Sequence, residues 1–162
     1  VANVDEDSVA EGTNKYVEIV KKYADEEKSE VVVICGKFEA DLAEIEDPQD
    51  KKDFMESVGL KESGLAVLAR KAYHLMGLRT FFTGGPDECR AWTIHSGDKA
   101  PRAAGVIHTD FEKGFIRAEA YTIEDLRQYG DEAAIKAAGK YRQEGKDYVV
   151  QDGDVLFFKF NV

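Results

Sequence analysis

Cysteine is scarce. Cys35 and Cys89 are the only two thiols, they stand far apart, and neither belongs to a Cys-x-x-Cys pair. That excludes a disulfide framework, a zinc ribbon and a dithiol redox motif, and leaves two reduced, partly buried thiols as the expectation. Histidine is as thin: His74, His95 and His108 are scattered, with no His-Glu-x-x-His or comparable ligand spacing, so no metal site is expected. No stretch approaches the roughly 18 apolar residues of a membrane helix, and no signal peptide is visible. The chain is therefore expected to be cytoplasmic, with no membrane partner. Basic charge is also short: 22 Lys+Arg face 32 Asp+Glu, a net charge of -10. Duplex affinity comes mostly from neutralising phosphates, so this balance argues against a DNA-binding protein, though not against a local basic patch.

Two catalytic signatures are missing as well. A phosphate-cradling loop needs Gly-x-x-x-x-Gly-Lys-Ser/Thr, and the three Gly-Lys pairs (Gly36-Lys37, Gly139-Lys140, Gly145-Lys146) lack both the following Ser or Thr and the earlier glycine. Without that loop, phosphoryl transfer loses its main electrostatic clamp. No Gly-x-Ser-x-Gly is present for acyl transfer. Carboxylate pairs abound, but at this acidity a chance pair is the expected finding, and no catalytic residue is assigned.

What is present is enough to fold. The hydrophobic share is 43%, near the globular average. Charge is uneven: residues 1–78 carry 10 Lys+Arg against 18 Asp+Glu, residues 79–162 carry 12 against 14. This shift predicts a boundary near Leu78. Ahead of it, residues 11–23 read as one helix, and "EVVVICGK" as a strand over residues 31–34 whose unbroken apolar run suits a parallel sheet. Three helices follow: "FEADLAEI", stopping near Asp47-Pro48; "QDKKDFMESVGL", ending at Gly59; and "ESGLAVLARKAYHLMG", with Leu65, Leu68, Ala72 and Leu75 on one face. Strand end, helix, strand is βαβ grammar.

Past Leu78 the grammar changes. "RTFFTGG" and "ECRAWTI" read as a hairpin around Gly84-Gly85-Pro86. "APRAAGVI" is a helix with Pro101 in its first turn. "GFIRAEAYT" alternates, with Ile116, Ala118 and Ala120 on one face and Phe115, Arg117, Glu119 and Tyr121 on the other. Two short helices follow, the first capped by Thr122. "DYVV", the turn "QDGD" and "VLFFKF" read as a closing hairpin. Four or five strands with one principal helix after the first hairpin suit a small β-grasp sheet.

The remaining chemistry is that of a nucleotide base. Asn3-x-x-Glu6 follows a strand end, and Cys35-Gly36-Lys37 follows the next strand. In a parallel sheet both loops emerge at the carboxyl edge, where α/β ligands bind. There Asn3 can tie the loops together, a carboxylate can face a purine edge, and the small Gly36 lets a backbone N–H approach. An ordinary strand–turn–helix, with Asn and Asp as turn and cap residues, fits the same spacing.

Over its whole length the chain resembles the YchF/Obg-like ATPases, a branch of the P-loop GTPases related to translation factors. The stretches that carry the resemblance are "NVDE", "ICGKFEADLAEIED", "RTFFTGGPDECRAWTI", "KAPRAAGVIHTDFEKGFIRAE" and "EGKDYVVQDGDVLFFKFNV". The resemblance implies an α/β remnant of a P-loop NTPase domain with a helical connector over residues 1–78, followed by an α+β TGS domain of β-grasp type over residues 79–162. Most relatives in the superfamily read guanine with Asn-Lys-x-Asp, whose Asp accepts two bonds from the base. Asn-x-x-Glu is associated with ATP preference, and Asn3 and Glu6 match it. Val4 would lie against the base or offer backbone contacts. Cys35, Gly36 and Lys37 match the motif that closes the base pocket, usually Ser/Cys-Ala-x, with Gly36 as a departure. The cofactor implied is ATP, or GTP, with Mg²⁺. The phosphate loop and Mg²⁺ ligands would lie ahead of Val1, so the 162 residues themselves are expected neither to hydrolyse nucleotide nor to bind it tightly.

The TGS resemblance implies a regulatory module that contacts RNA or the ribosome. Between Arg90 and Arg117 five basic residues face three acidic ones. Arg90, Lys99, Arg102, His108, Lys113 and Arg117 are the candidate contacts, with Trp92 and Phe111 among them. Trp92 as a core residue within a solvated charged face is the other reading. Two functions stand: the C-terminal part of an ATP-preferring NTPase, or a stand-alone non-catalytic TGS module that binds RNA, ribosome or protein.

Overall fold

In the computed structural model, which describes residues 1–85 and 88–161, the chain divides into two units, Val1–Met76 and Gly77–Val162. In the first, β1 (Ala2–Asn3) pairs in parallel with β2 (Val33–Ile34), Asn3 standing opposite Ile34. The helical stretch between them is two helices, α1 (Glu6–Glu11) and α2 (Lys15–Glu26), where the apolar spacing predicts one over residues 11–23. Gly12 adopts φ 66°, which a glycine does without penalty, and its N–H closes α1 on the Ser8 and Val9 carbonyls. The Asn14 side chain then accepts from the Tyr16 and Val17 amides, both at 2.9 Å, and starts α2. The strand expected over residues 31–34 is only two residues long, although Val32 is buried.

Three helices complete this unit: α3 (Gly36–Glu44), α4 (Pro48–Ser57) and α5 (Gly64–Leu75). Pro48 opens α4 rather than closing α3, because Asp47 caps the Gln49 and Asp50 amides and proline needs no donor at that position. The core gathers Val9, Cys35, Phe38 and Leu42, with Phe38 stacked on Phe54 at 4.9 Å. The apolar face expected on α5 packs only in part: Leu68 and Ala72 are half-buried, whereas Leu65 and Leu75 are exposed. The helix instead turns Gly64 and Lys71, two turns apart, toward β2. A Cβ on Gly64 would come within 2.7 Å of Ile34 Cγ2, and Lys71 Nζ donates to the Val31 carbonyl at 2.9 Å.

The second unit contains β3 (Leu78–Gly84), β4 (Cys89–His95), α6 (Ala100–Ile107), α7 (Thr109–Lys113), β5 (Phe115–Thr122), α8 (Ile123–Tyr129), α9 (Glu132–Ala137), β6 (Arg142–Glu144) and β7 (Asp154–Phe160). The strands form one sheet in the order β4-β3-β7-β5-β6, with β3 and β7 parallel and the other pairs antiparallel. Pro86, expected in the β3–β4 turn, lies outside the described residues. One sheet face buries Phe81, Ile94, Ala118, Ala120 and Leu156 against Ala100, Ala103 and Ala104 of α6. The other packs Tyr121 and Val155 with Ile135 of α9.

Two expectations fail here. The segment before β7 does not form a hairpin with it. Residues 147–150 pair with the chain entering α6, through Ala100 N–H to the Tyr148 carbonyl (2.8 Å) and Val150 N–H to the Asp98 carbonyl (3.0 Å). The turn ahead of β7 is tied to β3 instead, with Thr80 N–H donating to Asp152 Oδ1 at 2.7 Å and Gly153 N–H to the Thr80 carbonyl at 2.8 Å. β7 therefore enters between β3 and β5. In β5 the alternation also slips: a bulge between Phe115 and Arg117 puts Phe115 (4% exposed) in the core with Ala118 and Ala120, and leaves Ile116 53% exposed.

Candidate functional site

The two parallel strands of the first unit deliver their following loops to one edge, and side chains join those loops. Asn3 Oδ1 accepts from the Gly36 amide at 2.9 Å, and Lys37 Nζ donates to Glu6 Oε2 at 2.8 Å. Both links span more than thirty residues of sequence. The bond to Glu6, reinforced by its charge, holds the Lys37 ammonium above its ordinary pKa. Both partners remain substantially exposed, so the pair is formed at an open edge.

The other candidate residues divide by where they face. Val4 donates its N–H to the Ile34 carbonyl at 2.8 Å and packs its side chain against the Cys35–Phe38 core, so what it can offer a ligand is backbone. Cys35 is buried and caps α3, its sulfur accepting from the Phe38 amide at 3.5 Å. Gly36 is exposed, and a Cβ there would lie 3.3 Å from Asn3 Oδ1, a tight approach that explains why a small residue suits the position. Asp5 takes the cap role: its carboxylate accepts from the Ser8 amide at 2.9 Å, and its pKa is lowered by the hydrogen bonds from Ser8. The motif is thus a capped turn and a strand-linking Asn together.

Chemically, this edge offers one carboxylate, one ammonium and nearby backbone groups. Those suit the rim of a heterocyclic base. They do not suit a triphosphate, which needs a nest of amides and a hydroxyl for Mg²⁺. Among the described residues no group of three or more His, Cys, Asp or Glu is arranged to hold a metal ion.

In the second unit the six basic candidates do not form one patch. Arg90 lies on the sheet face of Trp92 and Ile94, its guanidinium 5.5 Å from the Trp92 ring. Lys99, Arg102, His108 and Lys113 belong to the α6–α7 layer. Arg117 alternates with Ala118 and so points to the opposite face, where it stands across from Lys159 and reaches Glu119 at 3.5 Å. Most are already partnered: Arg90 with Glu88 (2.8 Å), Lys99 with Asp147 (2.7 Å) and Arg102 with Glu112 (3.7 Å). His108 spends its Nδ1 capping the Asp110 amide at 3.2 Å. Trp92 is half-buried against the core and donates its indole N–H to Thr83 at 2.9 Å.

Sequence reasoning missed two features. The Lys37–Glu6 bond joins residues with no local spacing signal, because a parallel crossover lies between them. Asp154, fully buried, accepts from Tyr148 (2.7 Å), Arg142 (3.2 Å) and the Gln151 amide (2.9 Å). This polar knot fixes the start of β7, and only an acid at the head of an apolar strand hinted at it.

The family model YchF-GTPase_C, described as a protein of unknown function (DUF933), matches residues 78–161. The "Ribosome-binding ATPase YchF" of Bacillus subtilis is 53% identical over all of this chain, which spans 44% of that protein. The "Obg-like ATPase 1" of Gallus gallus is 45% identical over 99% of the chain and 41% of its own length. Among solved structures, the Schizosaccharomyces pombe YchF GTPase superposes with a TM-score of 0.80 at 38% identity, covering 97% of this chain and 42% of that one. The chain thus spans less than half the length of these relatives.

Proposed function

The chain belongs to the YchF family, and from that premise we propose that its first unit is the base-reading edge of a purine-nucleotide hydrolase and its second a TGS module of β-grasp type that contacts the ribosome. The observation that carries the first part is the Asn3–Gly36 hydrogen bond. It locks the Asn-x-x-Glu loop to the loop after β2, so that the Glu6 carboxylate and the Gly36–Lys37 segment face the same space. The cofactor is ATP, or GTP, with Mg²⁺. Asn3 organises the edge, Glu6 reads the base, Val4 has only its backbone carbonyl to contribute because its N–H is spent on Ile34, Gly36 gives its N–H to Asn3 and by its smallness keeps the approach open, Cys35 anchors the loop from below, and Lys37 flanks the base. When bound, Mg²⁺ would neutralise the phosphates; the residues fitted for that are not among those at this edge. The phosphate grip is assigned to the part of the relatives' length that this chain does not match.

Support for the second part is topological. The order β4-β3-β7-β5-β6, with the outer hairpin first, a helix next, and first and last strands parallel at the centre, is the arrangement a β-grasp sheet takes. The relatives' names carry ribosome binding. Arg90, Lys99, Arg102, His108 and Lys113 are the proposed contact side, without Arg117, and the carboxylates now paired with them would give way to phosphates.

The test is a titration of the 162-residue chain with ATP, followed through backbone amide shifts, with phosphate release measured in parallel. The expected outcome is movement of the Asn3, Glu6, Gly36 and Lys37 signals with no phosphate release. Signals unmoved by excess nucleotide would overturn the base-edge assignment, and hydrolysis lost in Glu6→Ala would overturn the inactivity of these residues alone.

A further inference from the structure

A cavity of about 450 Å³ opens in the first unit where α3, α4 and the start of α5 meet. That size suits a small molecule. Its floor is apolar: Leu42 and Ala43 of α3, Met55 of α4, Leu65 and Ala66 of α5. Leu65 stands on this floor yet is 53% exposed, so apolar surface is left uncovered there. The charged residues of the wall divide by sign. Both carboxylates are engaged: Glu39, 8% exposed, accepts from the Gly64 amide at 2.7 Å, and Glu62 accepts two bonds from the Arg70 guanidinium at 2.6 and 2.7 Å. Both cations are free: neither Lys51, which is half-buried, nor Lys61 has an ionic or hydrogen-bond partner among the described residues. Ser63 uses its oxygen to accept from the Ala66 amide at 3.1 Å, which leaves its hydroxyl proton to donate. Because Glu39 already takes the Gly64 amide, an anion here would be met by side chains rather than by the end of α5.

We propose that this cavity binds a small monocarboxylate with an apolar body, the body lying along Leu42, Met55 and Leu65 and the carboxylate meeting Lys51, Lys61 and the Ser63 hydroxyl. The site is separate from the base edge and does not depend on that assignment. Charge fixes the class of ligand. An apolar cation finds no free carboxylate in the wall. A neutral molecule of the same shape gains the apolar contact but nothing from the two lysines. An anion of several charges, whether a phosphate ester or an acidic protein segment, meets the field of an acidic unit: residues 1–78 carry 10 Lys+Arg against 18 Asp+Glu. One carboxylate shared by two ammonium groups gains the close attraction and adds least to that repulsion.

The experiment titrates the 162-residue chain with octanoate, 1-octanol and octyltrimethylammonium, three probes of one length and different charge, and reads Kd from the amide shifts of Leu42, Met55 and Leu65. Octanoate should bind tightest and the ammonium probe weakest. Shortening the acid to butanoate should weaken binding by at most roughly fourfold per methylene, the value for full burial. Lys51→Gln keeps the apolar stem and removes the charge. It should weaken octanoate by up to roughly fivefold, the scale of one partly exposed ion pair, and leave 1-octanol unchanged. Leu65→Ser, at an exposed position, should weaken both probes alike. Equal affinity for octanoate and 1-octanol, or no effect of Lys51→Gln, overturns the carboxylate assignment. Shifts of equal size in both units mark unspecific uptake and overturn the site. If an acetylated Glu-Glu-Leu-Leu-Glu-Glu peptide binds at the same signals more tightly than octanoate, the occupant is a protein segment and the small-molecule reading falls. No shift with octanoate overturns the proposal outright, and dispersed amide spectra check that each variant folds.

Discussion

Asn3 spends its side chain on a backbone donor of a distant loop, so its removal should be felt in folding as well as binding. The Gly36 amide is exposed, and water can replace the lost acceptor, which keeps the cost near the net value of one hydrogen bond. Asn3→Ala is expected to destabilise the first unit by about 1 kcal/mol, measured by urea denaturation. A change under a few tenths would mean the bond is not maintained in solution. Asp125 tests electrostatics at the same scale. The Thr122 hydroxyl and amide both donate to its carboxylate, completing a capping box on α8, and these bonds hold its pKa below the ordinary value. A carboxylate depressed in the folded state adds stability above its unfolded pKa and loses it as pH falls through the folded one. Acid should therefore weaken the second unit below about pH 4. Asp125→Asn should flatten that part of the pH profile, and a profile identical to wild type would remove Asp125 from the account.

At the scale of elements, β5 shows what a sequence can and cannot disclose. Strict alternation assigns Ile116 to the core beside Ala118 and Ala120, and the bulge reverses that for the first two residues. The cause lies outside the strand's own pattern. Gly114 approaches Asn161 so closely that a Cβ would meet its carbonyl oxygen at 1.9 Å, and Asn161 N–H bonds the Gly114 carbonyl at 2.9 Å. That close backbone pairing at the mouth of the β5–β7 ladder comes just before the register shifts. Phe115→Ala should therefore cost about 3–5 kcal/mol, whereas Ile116→Ala should stay within about 0.5 kcal/mol. Equal costs would restore the unbulged strand. Elements with local signals were legible: the β3–β4 hairpin, α6 with Pro101 in its first turn, and α8 on its Thr122 cap. The polar edge strand β6 carries no apolar pattern to read, and β7 was legible as a strand but not in its partners, which are chosen by residues far away. The site follows the same rule. Asn3 and Gly36 could be paired by strand grammar, whereas the Lys37–Glu6 bond depends on side-chain directions that only the folded loops set.

At the scale of the whole molecule, each unit owns its core, and the cores differ in kind. The first gathers a cluster of Val9, Cys35, Phe38 and Leu42 around two strands of two residues each, with Val17, Ala24 and Val32 also buried. The second buries Phe81, Ile94, Phe115, Leu156 and five strand or helix alanines among others on one face of a five-stranded sheet, and Tyr121, Ile135 and Val155 on the other. Stability scales with apolar surface removed from water, so the second unit should outlast the first in denaturant. Chains with separate cores depart from a single two-state transition. Urea unfolding followed residue by residue through amide signals should then give two midpoints, the earlier for residues 1–76 and the later for residues 77–161. Phe38→Ala should lower the first midpoint and leave the second, while Phe81→Ala should do the reverse. Each substitution removes a fully buried ring and should cost about 3–5 kcal/mol within its own unit. If either substitution moves both midpoints equally, the chain unfolds as one cooperative body, and the Asn3–Gly36 edge and the sheet behind Arg102 and Lys113 must be treated as energetically coupled.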